Sequence, residues 1–225
     1  MSRLTRVLLC TTALMLAWVA LPLTGKAGNI TVYSNFGAGN TYDPANGWTE
    51  SGAGSFTGFN SLQAMAFTNA TGQNLVLSQI DIADSFVAGN NSMTLNLYAD
   101  GGGVPGAVLE SWTVNNLPGL GTCCPIETVF GTAGVVLQNG ATYFLAPASD
   151  SVTWEAWNWN IIGAAGPGAV SADGGATWTV TSSYSPNSAF DVLGTTVPEP
   201  SALLLMGTAL VGILAGLHLG LRHTN

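Results

Sequence analysis

Short alternating runs cut by glycine-rich turns dominate residues 28–197, and that pattern leaves few folds open. In SMTLNLYAD (92–100), Met93, Leu95 and Leu97 fall on one side of an extended chain and Thr94, Asn96 and Tyr98 on the other. This is the period-two signature of a half-buried strand. In NLVLSQIDIAD (74–84) the alternation runs through Leu75 and Leu77 and resumes out of phase at Ile80 and Ile82, which predicts a β-bulge. NITVYSN (29–35), QAMAFT (63–68), AVLESWTV (107–114), ETVFGTAGVVLQ (127–138), ATYFLAPA (141–148), VTWEAWNWN (152–160), TWTVT (177–181) and SAFDVLGT (188–195) bring the strand candidates to nine or ten. The segments between them are turn chemistry: ADGGGVPG (99–106), LQNGAT (137–142), AAGPGA (164–169) and ADGGAT (172–177). QNGA predicts a tight two-residue hairpin, because Asn and Gly tolerate positive φ. No stretch repeats apolar residues at helical spacing for three turns. The expectation is an all-β domain, a two-sheet β-sandwich of jelly-roll type, with an open barrel as the alternative.

The charge distribution narrows function. The basic residues are Arg3, Arg6, Lys26 and Arg222, and both histidines, His218 and His223, lie in the last eight positions. Residues 28–200 therefore hold no Lys, Arg or His but all twelve acids, a formal charge of −12. Nucleic-acid binding needs cations to neutralise phosphate and is excluded. So is binding to an anionic membrane surface. A Ser-His-Asp or Cys-His nucleophile, a lysine Schiff base and a His/Cys zinc site cannot be built. Carboxylate chemistry, calcium held by oxygen and binding without catalysis stay open.

Both ends read as addresses. Residues 1–27 have the form of a Sec signal peptide: Arg3 and Arg6, the 14-residue apolar run VLLCTTALMLAWVA (7–20), then Gly25 and Ala27 at −3 and −1 of a cleavage site. LPLTG (21–25) spells a sortase motif at the wrong end of the chain. VLLC (7–10) fails as a lipobox, because Leu9 is bulky and Cys10 precedes most of the apolar run. At the other end, residues 202–221 contain no Asp, Glu, Lys or Arg over 20 positions. A helix of that length is about 30 Å long, the thickness of the hydrocarbon core. Arg222 after it fits a cytoplasmic end.

VPEPSALLLMGTALVGILAGLHLGLRH (197–223) resembles the PEP-CTERM sorting signal: Pro198-Glu199-Pro200, a serine, a Leu/Gly-rich span and a basic end. The resemblance implies a Gram-negative exporter, a transient inner-membrane anchor and processing by an exosortase. The basic end is sparse, Arg222 and His223 where the family usually has several arginines. The expected organisation is a signal peptide at 1–27, a β-sandwich ectodomain at 28–196 and the sorting signal at 197–225 with its membrane helix at 202–221. Over most of residues 60–195 the ectodomain is similar to the all-β bacterial domains called choice-of-anchor, which carry no established chemistry.

Candidate sites follow from residue type. In WEAWNWN (154–160) an extended chain places Glu155, Trp157 and Trp159 on one face and Trp154 on the other. Paired indoles beside a carboxylate and amides suit a sugar ring; the competing reading is sandwich core. A glycosidase needs two facing acids about 5–9.5 Å apart, and Glu50, Glu110, Glu127 and Glu155 form no motif. Asp81, Asp84, Asp100 and Asp173 are candidate calcium ligands or turn caps. Cys123 and Cys124 are vicinal, and in an oxidising compartment they either bond to each other or link to another molecule. These features lead us to expect an exported, non-catalytic surface or matrix protein with no required cofactor. Its partners would be the Sec machinery, an exosortase and exopolysaccharide. The alternatives are a carboxylate-dependent glycan hydrolase or lyase, and a carbohydrate-binding module.

Overall fold

The computed structural model describes residues 28–196 together with Gly207. Fourteen strands make up the domain: β1 (Ile30–Ser34), β2 (Gly47–Ser51), β3 (Leu62–Thr68), β4 (Leu75–Ile82), β5 (Asp84–Ala88), β6 (Ser92–Asp100), β7 (Pro105–Asn115), β8 (Glu127–Phe130), β9 (Val136–Leu137), β10 (Thr142–Ser149), β11 (Trp154–Asn158), β12 (Gly166–Ser171), β13 (Thr179–Tyr184) and β14 (Phe190–Thr196). The all-β class is as expected, and every strand pairing is antiparallel.

The strands form three sheets rather than two. One runs β1-β14-β4-β8 with β9 also on β4, the second β13-β12-β3-β10-β6-β7, and the third β2-β11-β5. Met93, Leu95 and Leu97 of β6 are buried, as their alternation requires. The expected bulge is in β4: Leu193 of β14 faces Gln79 and Gly194 faces Leu77. Ser78 is the extra residue, which lets both halves of β4 turn their apolar side chains inward.

Buried side chains from the five-stranded and six-stranded sheets belong to one apolar core. Leu75, Leu77, Ile80, Ile82, Phe190 and Val192 of the first meet Met65, Phe67, Leu95, Leu97 and Leu145 of the second. The Tyr33 ring stacks on Phe190 at 4.6 Å, and Phe67 meets Phe190 edge-on at 6.1 Å. On its outer face the six-stranded sheet presents Ala64, Ala66, Ala146 and Ala169. These small side chains let Tyr98, Val104 and Trp178 lie across it.

Two expected turns have other roles. AAGPGA contains the start of β12, where a Cβ on Gly168 would strike the Ala64 carbonyl and the Tyr184 ring. Only glycine permits that approach. QNGA does form a turn, closed by the Ala141 N–H donating to the Gln138 carbonyl at 3.1 Å. Only Gly140 has positive φ (77°), the requirement of a type II turn. The strands it joins, β9 and β10, belong to different sheets, so it is a crossover and not a hairpin.

Candidate functional site

β11 carries most of WEAWNWN and is the middle strand of the third sheet. Trp157 is fully buried, its ring 5.6 Å from Phe190 and its Nε1 donating to the Ala189 carbonyl at 3.3 Å. Glu155 is fully buried on the same face. Trp159 lies beyond the strand end, half-buried, tilted 57° against Trp48 at 5.6 Å. The expected sugar platform of Trp157, Trp159 and Glu155 is therefore absent from this surface. Burial of an indole ring in the core outweighs its use as a platform.

An exposed aromatic surface lies on the opposite side of the strand. Trp154 stacks on Phe56 with ring centroids 6.2 Å apart and planes 13° from parallel. Phe56 is 87% exposed and Phe59 is 70% exposed. The β2–β3 loop that carries both phenylalanines is braced. Gly54 N–H donates to the Ser151 carbonyl at 2.6 Å, Gly52 N–H to the Thr153 carbonyl at 3.0 Å, and the Ser51 hydroxyl to the Phe59 carbonyl at 2.8 Å. Beside it is a hollow of about 390 Å³ lined by Thr49, Thr57, Phe59, Asn60, Ser61 and Ala172. Sequence reasoning missed this surface. Its signal was two phenylalanines in the Gly/Ser-rich run SGAGSFTGFN (51–60), outside any alternation.

The third sheet also turns three carboxylates inward. Glu50 of β2 faces Glu155 of β11, and Asp84 of β5 faces Trp157, two residues further along that strand. All three are fully buried. Burial pushes Glu50 well above the usual carboxylate range; the Gln63 N–H draws it back, and Asp84 and Glu155 raise it further. Burial also raises Asp84, with the charge of Glu155 adding to it. Burial lifts Glu155 to about 7 against the pull of its bond from Ser149. Facing carboxylates do exist here, but no glycan reaches them in this arrangement. Glu110 instead accepts hydrogen bonds from the Thr132 N–H and hydroxyl and from the Ala133 N–H.

A second pair, Asp81 and Asp191, sits directly opposite on β4 and β14. Asp81 accepts from Gln79 Nε2 at 2.8 Å and from the Thr128 hydroxyl. Burial, then the charge of Asp81, lift Asp191 to about 7.

The remaining candidates have structural duties. Asp100 accepts from the Gly102 and Gly103 N–H groups in the β6–β7 turn. Asp173 is pulled down to about 2 by the Thr177 hydroxyl and N–H and by Ser171 in the β12–β13 turn. Among the described residues no three His, Cys, Asp or Glu side chains form a ready-made metal-holding group. Cys123 and Cys124 are bonded to each other. Cys124 and Ile126 pack against Phe36, Tyr42, Ala83 and Ala189, and the Tyr42 hydroxyl donates to the Pro125 carbonyl at 2.8 Å.

The expected signal peptide (1–27), the expected sorting residues Pro198, Glu199, Pro200 and Arg222, and all of the expected 202–221 span but Gly207 lie outside the described residues. Among the described residues no helix is long and apolar enough to cross a membrane. No curated protein and no solved structure matches the chain. Residues 196–218 match the family model of the PEP-CTERM protein-sorting motif, so the chain carries a PEP-CTERM sorting motif, and that motif follows in sequence directly on the last strand of an all-β domain.

Proposed function

We propose that this chain is exported by the Sec machinery, anchored briefly in the inner membrane by residues 202–221, and released by an exosortase to act at the cell surface or in the extracellular matrix. The PEP-CTERM motif carries the reading, since it implies export, anchoring and an exosortase as processing partner. The role is non-catalytic. No Lys, Arg or His lies in residues 28–200 to shuttle protons at neutral pH, and the facing acids Glu50 and Glu155 are closed off from solvent.

The two larger sheets, packed through one core, are read as a sandwich of jelly-roll type with the third sheet set against it. The likeness to choice-of-anchor domains supports a module defined by where it is held. Contact with neutral stretches of exopolysaccharide falls to Phe56, Trp154 and Phe59. The exposed rings of Phe56 and Phe59, with the half-buried Trp154 stacked against Phe56, suit apolar sugar C–H groups, and Asn60, Thr57 and Ser61 supply polar partners. The net negative charge of the domain disfavours acidic polymers.

The test is affinity electrophoresis of the secreted protein in gels containing exopolysaccharide from a producing strain. Retardation that Phe56→Ala removes supports the reading. Equal mobility with and without polysaccharide refutes the contact, and release of reducing sugar refutes the non-catalytic role.

A further inference from the structure

We propose that Glu50, Asp84 and Glu155 form a site for a divalent cation of calcium's class, buried where the third sheet meets the six-stranded sheet. The placement comes from strand register. Glu50 and Glu155 are direct cross-strand neighbours, and Asp84 is diagonal to Glu155 on the same face. Such positions put Cβ atoms about 5 Å and about 7–8 Å apart, within reach of one ion for side chains of this length.

The hydrogen-bond inventory is incomplete in a way that asks for a cation. Both Glu50 oxygens share the single Gln63 N–H at 2.9 Å, and Glu155 Oε2 accepts from the Ser149 hydroxyl at 2.6 Å. Glu155 Oε1 has no partner, and fully buried Asp84 has no well-aligned one, the Ser85 backbone N–H being its one nearby donor. An unpaired carboxylate in a protein interior is strongly disfavoured. Residues 28–200 contain no Lys, Arg or His to neutralise it, which leaves a proton or a bound cation to do so.

The donor set is oxygen only, without thiolate or imidazole, which favours calcium over zinc or copper. Calcium accepts six to eight oxygens at about 2.3–2.6 Å in irregular geometry, whereas magnesium demands a rigid octahedron and retains its waters. The three side chains do not by themselves close into a cage. Binding therefore pulls Asp84 and Glu155 toward the ion and couples metal affinity to the packing of the third sheet. Asp81, Asp100 and Asp173 take no part.

The test uses the full chain, purified and divided between calcium chloride and a calcium chelator. Saturating calcium raises the melting temperature by about 5–10 °C, magnesium raises it less, and equilibrium dialysis finds one calcium per chain. Asp84→Asn and Glu155→Gln preserve shape, fold, and lose both the shift and the bound ion. A wild-type chain that melts at the same temperature in calcium and chelator overturns the proposal. So does a calcium shift that survives in both variants.

Discussion

Glu155 on β11 stands directly opposite Glu50 on β2, and neither carboxylate reaches solvent. Like charges in that position repel across a sheet. Without a cation, a variant that turns the repulsion into a hydrogen bond should therefore stabilise the domain. In Glu50→Gln the amide oxygen still accepts the Gln63 N–H, and the new NH₂ offers a donor to the cross-strand neighbour Glu155, whose Oε1 has no partner. Urea unfolding in chelator at alkaline pH, above the Glu155 value of about 7, should show Glu50→Gln more stable than wild type by roughly 1–2 kcal/mol. A loss of similar size would mean the pair is not repulsive.

The aromatic residues of β11 and its neighbouring loop divide into two classes. Trp157→Ala empties a fully buried site and should cost about 3–5 kcal/mol. Phe56→Ala removes a ring that is 87% exposed and should leave the melting temperature nearly unchanged. Polysaccharide binding should fall roughly tenfold, or ~1.4 kcal/mol, on Phe56→Ala. Thermal melts and affinity gels on the same two proteins separate packing from contact.

Asp191 gives the domain a pH dependence. Its folded carboxyl holds a proton up to about 7, whereas the unfolded carboxyl lets it go near the ordinary aspartate value of 3.8. The folded state thus binds more protons between those limits, and stability declines as pH rises through that window. The contribution is fully present below about pH 4 and fully lost above about pH 7. The groups facing Asp191 on neighbouring strands are Asp81, with its donors Gln79 and Thr128, and Ser34 of β1. Melting curves from pH 4 to 8 should fall less steeply for Asp191→Asn than for wild type, with divalent ions held constant.

The vicinal cysteines should be closed in the exported protein. Thiol titration of the denatured processed chain should find no free thiol, and the peptide spanning Cys123 and Cys124 should weigh two hydrogens less than its reduced form. Alkylation of both sulfurs without reductant, or a dimer that reductant dissolves, would contradict the bond.

The legible parts of this fold were those whose interiors are apolar. β6 showed itself through Met93, Leu95 and Leu97, and β4 even showed its bulge, because inward positions there are hydrocarbon. β2, β5 and β12 did not. GWTES and DSFVA place Glu50 and Asp84 inward, and any reading that sends acids to solvent inverts or discards such strands. GPGAVS reads as a turn until Gly168 is seen to owe its identity to the Tyr184 ring. The same carboxylates that form the proposed cation site hid the sheet that holds them. The aromatic surface was hidden for a different reason: the tryptophans of WEAWNWN point to a strand whose largest ring is core. Phe56 and Phe59, in a loop with no period, gave no pattern to read.

The most direct test of the account is where the chain goes and what is removed from it. In cells with an exosortase, the protein should appear at the surface or in the matrix, shortened at both ends. Deleting the exosortase, or changing Pro198 and Pro200 to alanine, should leave a species in the inner membrane that retains its C-terminal segment. A full-length chain, soluble in the cytoplasm with both termini intact, would contradict the account.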